Sequence, residues 1–498
     1  MGPRLALCAC LLSGCAQLFG LEETSSGGGD DAGPHTTDVS VQMQLISVGP
    51  TATRTPYDVS QLAASFLVPD PGPAGFKRVV ATAASDTWSA PIPEGTPAME
   101  INLGLDLPDL YRRLYAVEQR NLQVLYGIYG HTDAVAAPAD AQLVVTLALP
   151  APTDGTEGIQ LYGVGTWANH GFAAGTDYAV GAQTIGPLAV PYAQAMWGSI
   201  SGRPLAKVTS ADELLGLRYS GNQLTGAAEF PAFDQNDTMT TISATMTPVT
   251  AAPLDVHMSP SNLDMRLAMP TPKGTALAMS WSVNAAPGWE IANGTGPQLN
   301  AAGIALADPG AITAPFGNPF AAKGWKSVFT LGSNKARTYM VPSLMNLPAT
   351  FYCGLNQIAE VVPGLTLDTP AALPIVVSIN TMPLATDGQT ITLDPAKAVD
   401  LSVLADKTDA LFYQFNIYEL RVNAAMSGLE THVAYVAVSD KIDVTIPNDV
   451  FVAGKTYFIR AHAIKGGYPS FNEGNLWNRN LPYSVGYLDA GVFTVSAP

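Results

Sequence analysis

Charge is scarce in this 498-residue chain: Asp, Glu, Lys and Arg together make up 13% of it, with 24 basic residues against 41 acidic ones. So few cations in an acidic background cannot build a face that neutralises phosphates, which excludes a nucleic-acid partner from the expectations. The formal net charge of -17 points to a soluble, self-repelling surface. Histidine is scarce as well, and none of His35, His131, His170, His257, His432 or His462 has the His-Glu-x-x-His company of a helical zinc protease. Gly198-Ser199-Ile200-Ser201-Gly202 carries Ile where a nucleophile elbow needs Ser, and phosphate loops and dinucleotide fingerprints are missing. An enzyme with dispersed residues escapes such searches, so a hydrolase of glycosides or peptides with scattered carboxylates, acting in the cell envelope if the chain is exported, stands as an alternative.

Cysteine is limited to Cys8, Cys10, Cys15 and Cys353. The first three fall in an N-terminal stretch with the order of a signal peptide: a charge at Arg4, an apolar run from Leu5 to Leu12, then Leu12-Ser13-Gly14-Cys15. The run is too short to span a bilayer as a mature helix. Those last four residues resemble the lipobox of bacterial lipoproteins, which implies export, cleavage before Cys15 and acylation of its thiol. Two or three acyl chains, at about 0.8 kcal/mol per buried methylene, would make membrane lipid a durable partner. Ala16 in place of Asp implies, by the same resemblance, sorting to the bacterial outer membrane. Only Cys353 then remains in the mature chain, no intrachain disulfide can form, and its strand-like surroundings mark it as a small buried apolar residue.

What the chain does have is Gly and Pro, 46 and 39 residues, in a composition that is 47% hydrophobic. Residues 15–38 are rich in Ser, Gly and Asp and read as a flexible tether after the 1–14 signal peptide. From Val39 onward, short apolar and β-branched runs alternate with turn residues, which predicts an all-β chain of tandem antiparallel β-sandwiches. Examples are Leu62 to Val68, Gln142 to Leu149, and a hairpin joining Leu214 to Tyr219 with Leu224 to Phe230 across Ser220-Gly221-Asn222-Gln223. Asp109 to Tyr126 places its apolar residues near helical spacing, yet Leu122 to His131 also reads as a strand, and both options stay open. Pro-rich breaks divide the chain into units at 39–150, 151–252, 253–372 and 373–498.

In the last unit, Gly454-Lys455-Thr456-Tyr457 leads into an alternating run to Ile464, with Val492 to Val495 closing the sheet. This resembles the penultimate strand of a fibronectin type III domain, which implies a sandwich and no particular chemistry. Two candidate sites stand out. Asp234, Asn236 and Asp237 offer oxygen ligands suited to a structural calcium ion, although they lack the Gly and distal Glu of a standard calcium loop and also read as an Asx-rich turn. The connection 465–488 concentrates Tyr468, Phe471, Asn475, Trp477, Arg479 and Tyr483, a mixture suited to a protein or carbohydrate ligand or to packing the loop on its own domain. The expectation is a membrane-anchored cell-envelope lipoprotein, binding or structural in role, with an array of carbohydrate-binding modules as a further alternative.

Overall fold

The computed structural model describes residues 36–496 apart from 49–51, 73, 94–97, 103–111, 130–134, 136, 139, 165–167, 192–206, 259–261, 271–275, 289–295, 305–309, 369, 386 and 477–478. Strands dominate because β-branched and aromatic residues alternate with polar ones between Gly, Pro, Asn and Asp turns, so each strand buries one face and wets the other. The result is a chain of tandem β-sandwiches.

The first sandwich comprises β1 (Thr36–Val48), β2 (Ala52–Pro56), β3 (Ala64–Pro69), β4 (Phe76–Val80), β5 (Thr82–Ala84), β6 (Thr87–Pro93), β7 (Ala98–Asn102), β8 (Arg112–Ala116) and β9 (Asn121–Tyr129). Its sheets, β2-β1-β6-β5 with β9 on β1, and β8-β7-β3-β4, close over Val41, Phe66, Trp88 and Ile101. The second comprises β10 (Gln142–Ala148), β11 (Glu157–Val164), β12 (Ala168–Phe172), β13 (Thr184–Pro191), β14 (Glu213–Ser220), β15 (Gln223–Glu229), β16 (Met239–Thr245) and β17 (Thr247–Pro248), in sheets β13-β10-β16 and β12-β11-β14-β15-β17.

The third comprises β18 (Ala252–Met258), α1 (Leu263–Ala268), β19 (Leu277–Ala286), β20 (Gln298–Ile304), β21 (Ala311–Phe316), β22 (Lys326–Val341), β23 (Leu347–Glu360) and β24 (Leu365–Leu367). The fourth comprises β25 (Pro374–Ile379), β26 (Met382–Pro383), β27 (Gln389–Thr392), β28 (Val399–Ala405), β29 (Phe412–Val422), β30 (Leu429–Ser439), β31 (Asp443–Ile446), β32 (Thr456–Gly466), β33 (Tyr483–Asp489) and β34 (Phe493–Ser496). Its sheet β26-β25-β28-β31 faces β33-β32-β29-β30 across a core that includes Val377, Leu401, Phe415 and Ile459.

A shared device closes each sandwich: an early strand pairs in parallel with a late one, β1 with β9, β10 with β16, β18 with β24, and β27 with β34. The sandwiches are also fused. β23 pairs antiparallel with β33, and β30 pairs in parallel with β8, so strands of the third, fourth and first sandwiches run into one 14-stranded sheet. Pairing edge to edge in this way covers backbone groups that an open sheet edge would leave exposed.

Several expectations change. β10 pairs with β13 and β16, so the break placed at 150 falls before Gln142. The tether drawn to 38 overlaps β1, whose Thr36 and Asp38 stand opposite Pro93 and Pro91. The ambiguous segment forms β8 and β9, because its apolar residues have neighbouring strands to pair with on β7, β30 and β1. The hairpin forms as expected, with Ser220 opposite Gln223 and Gly221 at φ 56°, a left-handed backbone that glycine adopts without strain. Cys353 is buried and free, and burial pushes its thiol up to about 12. No helix among the described residues is long and apolar enough to cross a membrane.

Candidate functional site

The connection after β32 is shorter than expected, because Tyr483, Val485 and Tyr487 alternate with smaller residues and enter β33, which pairs with both β23 and β32. Tyr483 is thus a strand residue opposite Ile358 and not part of a loop. The remaining turn folds onto the first sandwich. Phe471 is buried and stacks on Phe412 with centroids 5.1 Å apart, and Tyr468 meets the same ring edge-on at 5.1 Å. Arg479 lies over the Tyr468 ring at 5.5 Å. Asn475 Nδ2 donates to Gln123 Oε1 at 3.0 Å, and the Gln123 amide donates to the Gly474 carbonyl at 2.8 Å. These residues act as a clasp on β9. Trp477, like Cys15, lies outside the described residues.

Asp234, Asn236 and Asp237 are engaged in turn contacts. Asp234 Oδ1 accepts from the Ser210 amide at 2.8 Å, Asn236 Oδ1 accepts from the Thr238 amide at 3.0 Å, and Asp237 pairs with Lys207. Among the described residues, no group of three His, Cys, Asp or Glu side chains is placed to hold a metal ion.

A different place gathers chemistry. Along β32, Tyr457, Ile459, Ala461 and Ala463 enter the core, while Arg460 and His462 point to the opposite, outer face of the sheet. Register then brings partners alongside. His462 stands opposite Tyr487, Tyr487 opposite Gly354, and Gly354 opposite Asn334, while Val485 stands opposite Asn356. The outcome is a groove of about 490 Å³ lined by Asn334, Tyr352, Asn356, Arg460, His462 and Tyr487, with Ile358, Tyr483 and Val485 at one end. It spans the junction of the third and fourth sandwiches.

The floor depends on a glycine. A Cβ at Gly354 would stand 2.5 Å from Tyr487 Oη, so only a bare backbone lets that ring lie across β23. Arg460 forms a two-pronged ion pair with buried Asp489 at 2.5 and 2.8 Å, and lies near the rings of Tyr418 at 5.8 Å and Tyr487 at 5.7 Å. Burial works against the Arg460 charge, but the hydrogen bonds and charge of Asp489 outweigh it and raise its pKa. Burial, helped by the Arg460 charge, lowers His462 to about 3, so its imidazole is neutral at ordinary pH. Its Nε2 is buried and has no hydrogen-bond partner. Burial lifts Tyr487 to about 12, keeping its hydroxyl protonated.

Next to the groove, Gln414 Nε2 donates to Asn416 Oδ1 at 2.8 Å and Asn416 Nδ2 to Tyr418 Oη at 3.3 Å, extending the amide-rich surface onto β29. Among the described residues lining the groove there is no carboxylate. Glu100, Glu419, Asp406 and Asp489, four acids with little exposure, each hold a cationic partner. Chemically the groove is a recognition surface of tyrosines, amides and one neutral imidazole, with the single cation, Arg460, neutralised by Asp489.

No family model matches the chain, and no curated protein matches it. Among solved structures it is similar to a streptococcal ancillary pilin, at 10% identity over 67% of this chain and 98% of that one, with a TM-score of 0.13. It is also similar to E. coli alpha-2-macroglobulin in its native conformation, at 9% identity over 93% of this chain and 28% of that one, with a TM-score of 0.15. At those values neither likeness bears on function.

Proposed function

We propose that this protein is an exported lipoprotein, held to the bacterial outer membrane by acyl chains on Cys15, that serves the cell envelope as a binding or structural component without catalysing a reaction. The observation that carries the reading is the order of Arg4, the apolar run and Leu12-Ser13-Gly14-Cys15, followed by a Ser, Gly and Asp-rich spacer before β1. Such an arrangement suits a β-sandwich array displayed at a distance from the lipid surface. The carboxylate-free lining of the groove supports binding over glycoside cleavage at that place, because such cleavage needs two carboxylates facing each other across the site.

Metabolic labelling with a radioactive fatty acid, followed by membrane fractionation, tests the anchor. Label and membrane retention in the full chain, both lost in Cys15→Ala with the fold intact, are the expected results. A Cys15→Ala protein still held in the membrane through its N-terminus would overturn it.

A further inference from the structure

We propose that the groove spanning β22, β23, β33 and β32 binds a neutral oligosaccharide, an assignment that rests on the envelope-binding reading and names its ligand class. Three features converge. The rings of Tyr352, Tyr483 and Tyr487 border one depression, and Tyr352 is 39% exposed. Flat rings with a polar tip pack well against the C–H faces of pyranose units. Asn334 and Asn356 each carry a donor and an acceptor, which match sugar hydroxyls that are themselves both. His462, a neutral imidazole whose Nε2 has no hydrogen-bond partner, lines the same depression and adds a polar group without charge.

The same features exclude other ligand classes. An anionic headgroup or nucleotide needs an available cation, and the Arg460 charge is already held by Asp489 at 2.5 and 2.8 Å. A peptide adding itself as a strand needs an open edge. All four strands are interior here, since β22 lies between β19 and β23, and β32 between β33 and β29. The volume of about 490 Å³ falls within the ordinary size of a small-ligand site, about 300–1,000 Å³.

The test is native affinity electrophoresis of the detergent-solubilised full chain in gels containing dextran, mannan or hydroxyethylcellulose, with alginate as the polyanionic counterpart. Retardation by at least one neutral polymer is expected, weakened about tenfold by Tyr352→Ala and by Tyr487→Ala, the range of a lost aromatic contact. Val180→Ala, at an exposed site of the second sandwich, should leave it unchanged. If Tyr487→Ala does not fold, the more exposed Tyr352 decides. Unaltered migration in all three neutral polymers, or retardation undiminished in the folded tyrosine variants, would overturn the assignment. Retardation by alginate alone would overturn it too, while leaving anchorage by Cys15, read separately by fractionation, as it stood.

Discussion

The second and third sandwiches meet differently from the third and fourth. Between the second and third, contact is made by side chains: Leu215, Leu217 and Tyr219 share a core with Trp281 and Leu299, Gln298 Nε2 donates to the Asn222 carbonyl at 3.0 Å, and Lys323 reaches Glu229 at 2.7 Å. Between the third and fourth, the backbone itself is continuous, Cys353 to Ile358 laddering with Leu488 to Tyr483. Arg266 from α1 adds a buried ion pair, with Nε 2.5 Å from Asp406, and donates from Nη2 to the Ala371 carbonyl at 2.6 Å. A ladder fixes register residue by residue, whereas side-chain packing tolerates small shifts. The laddered joint holds side chains from two sandwiches in one groove.

The strongest way to break this contrast is Arg266→Met. It leaves Asp406 buried without its cation, and a loss of about 3–5 kcal/mol is expected in urea unfolding of the full chain. Little change would mean that the ladder alone holds the joint. Glu100→Gln tests the second laddered joint, between the fourth and first sandwiches, where Glu100 meets Arg78 at 3.1 Å, Arg112 at 3.3 Å and the Tyr435 hydroxyl at 3.2 Å. Arg78 is partly exposed, so the expected loss is smaller, about 1–3 kcal/mol in the same measurement.

His462 sharpens the comparison through pH. Its folded value of about 3 lies below that of an unfolded histidine, so between the two the unfolded chain binds the extra proton. The stability its neutral form confers is complete above about pH 6.5 and is lost as pH falls toward 3. His462→Gln should flatten that acid limb by up to about tenfold in the folding constant per pH unit, read as the difference between paired urea titrations. Parallel limbs in the two proteins would contradict the buried, neutral assignment. The smallest effect belongs to the side-chain joint: Lys323→Ala, at a partly exposed site, should cost under about 1 kcal/mol.

Much of the architecture was legible because strand formation is local. The strand read at Gln142 to Leu149 matches β10 to within one residue, and the 220–223 turn was readable from its glycine. β33 was not, since Pro482 and Gly486 broke the pattern and its tyrosines looked like loop aromatics. What makes it a strand is two partners, β23 and β32, one of them over a hundred residues away. The groove was illegible for the same reason. Asn334, Tyr352, His462 and Tyr487 sit on four strands, and no spacing in the sequence announces a cross-strand register. The loop aromatics were visible as a cluster, but whether Phe471 faced a ligand or Phe412 depended on the first sandwich packing beside it.

Hydrogen exchange of the full chain, with and without the neutral polysaccharide that retards it most, tests the shared groove most directly. Protection is expected to rise together in peptides covering β23 and β33, from the third and fourth sandwiches, with the second sandwich unchanged. Protection confined to one side of that joint, or appearing only in the second sandwich, would contradict it.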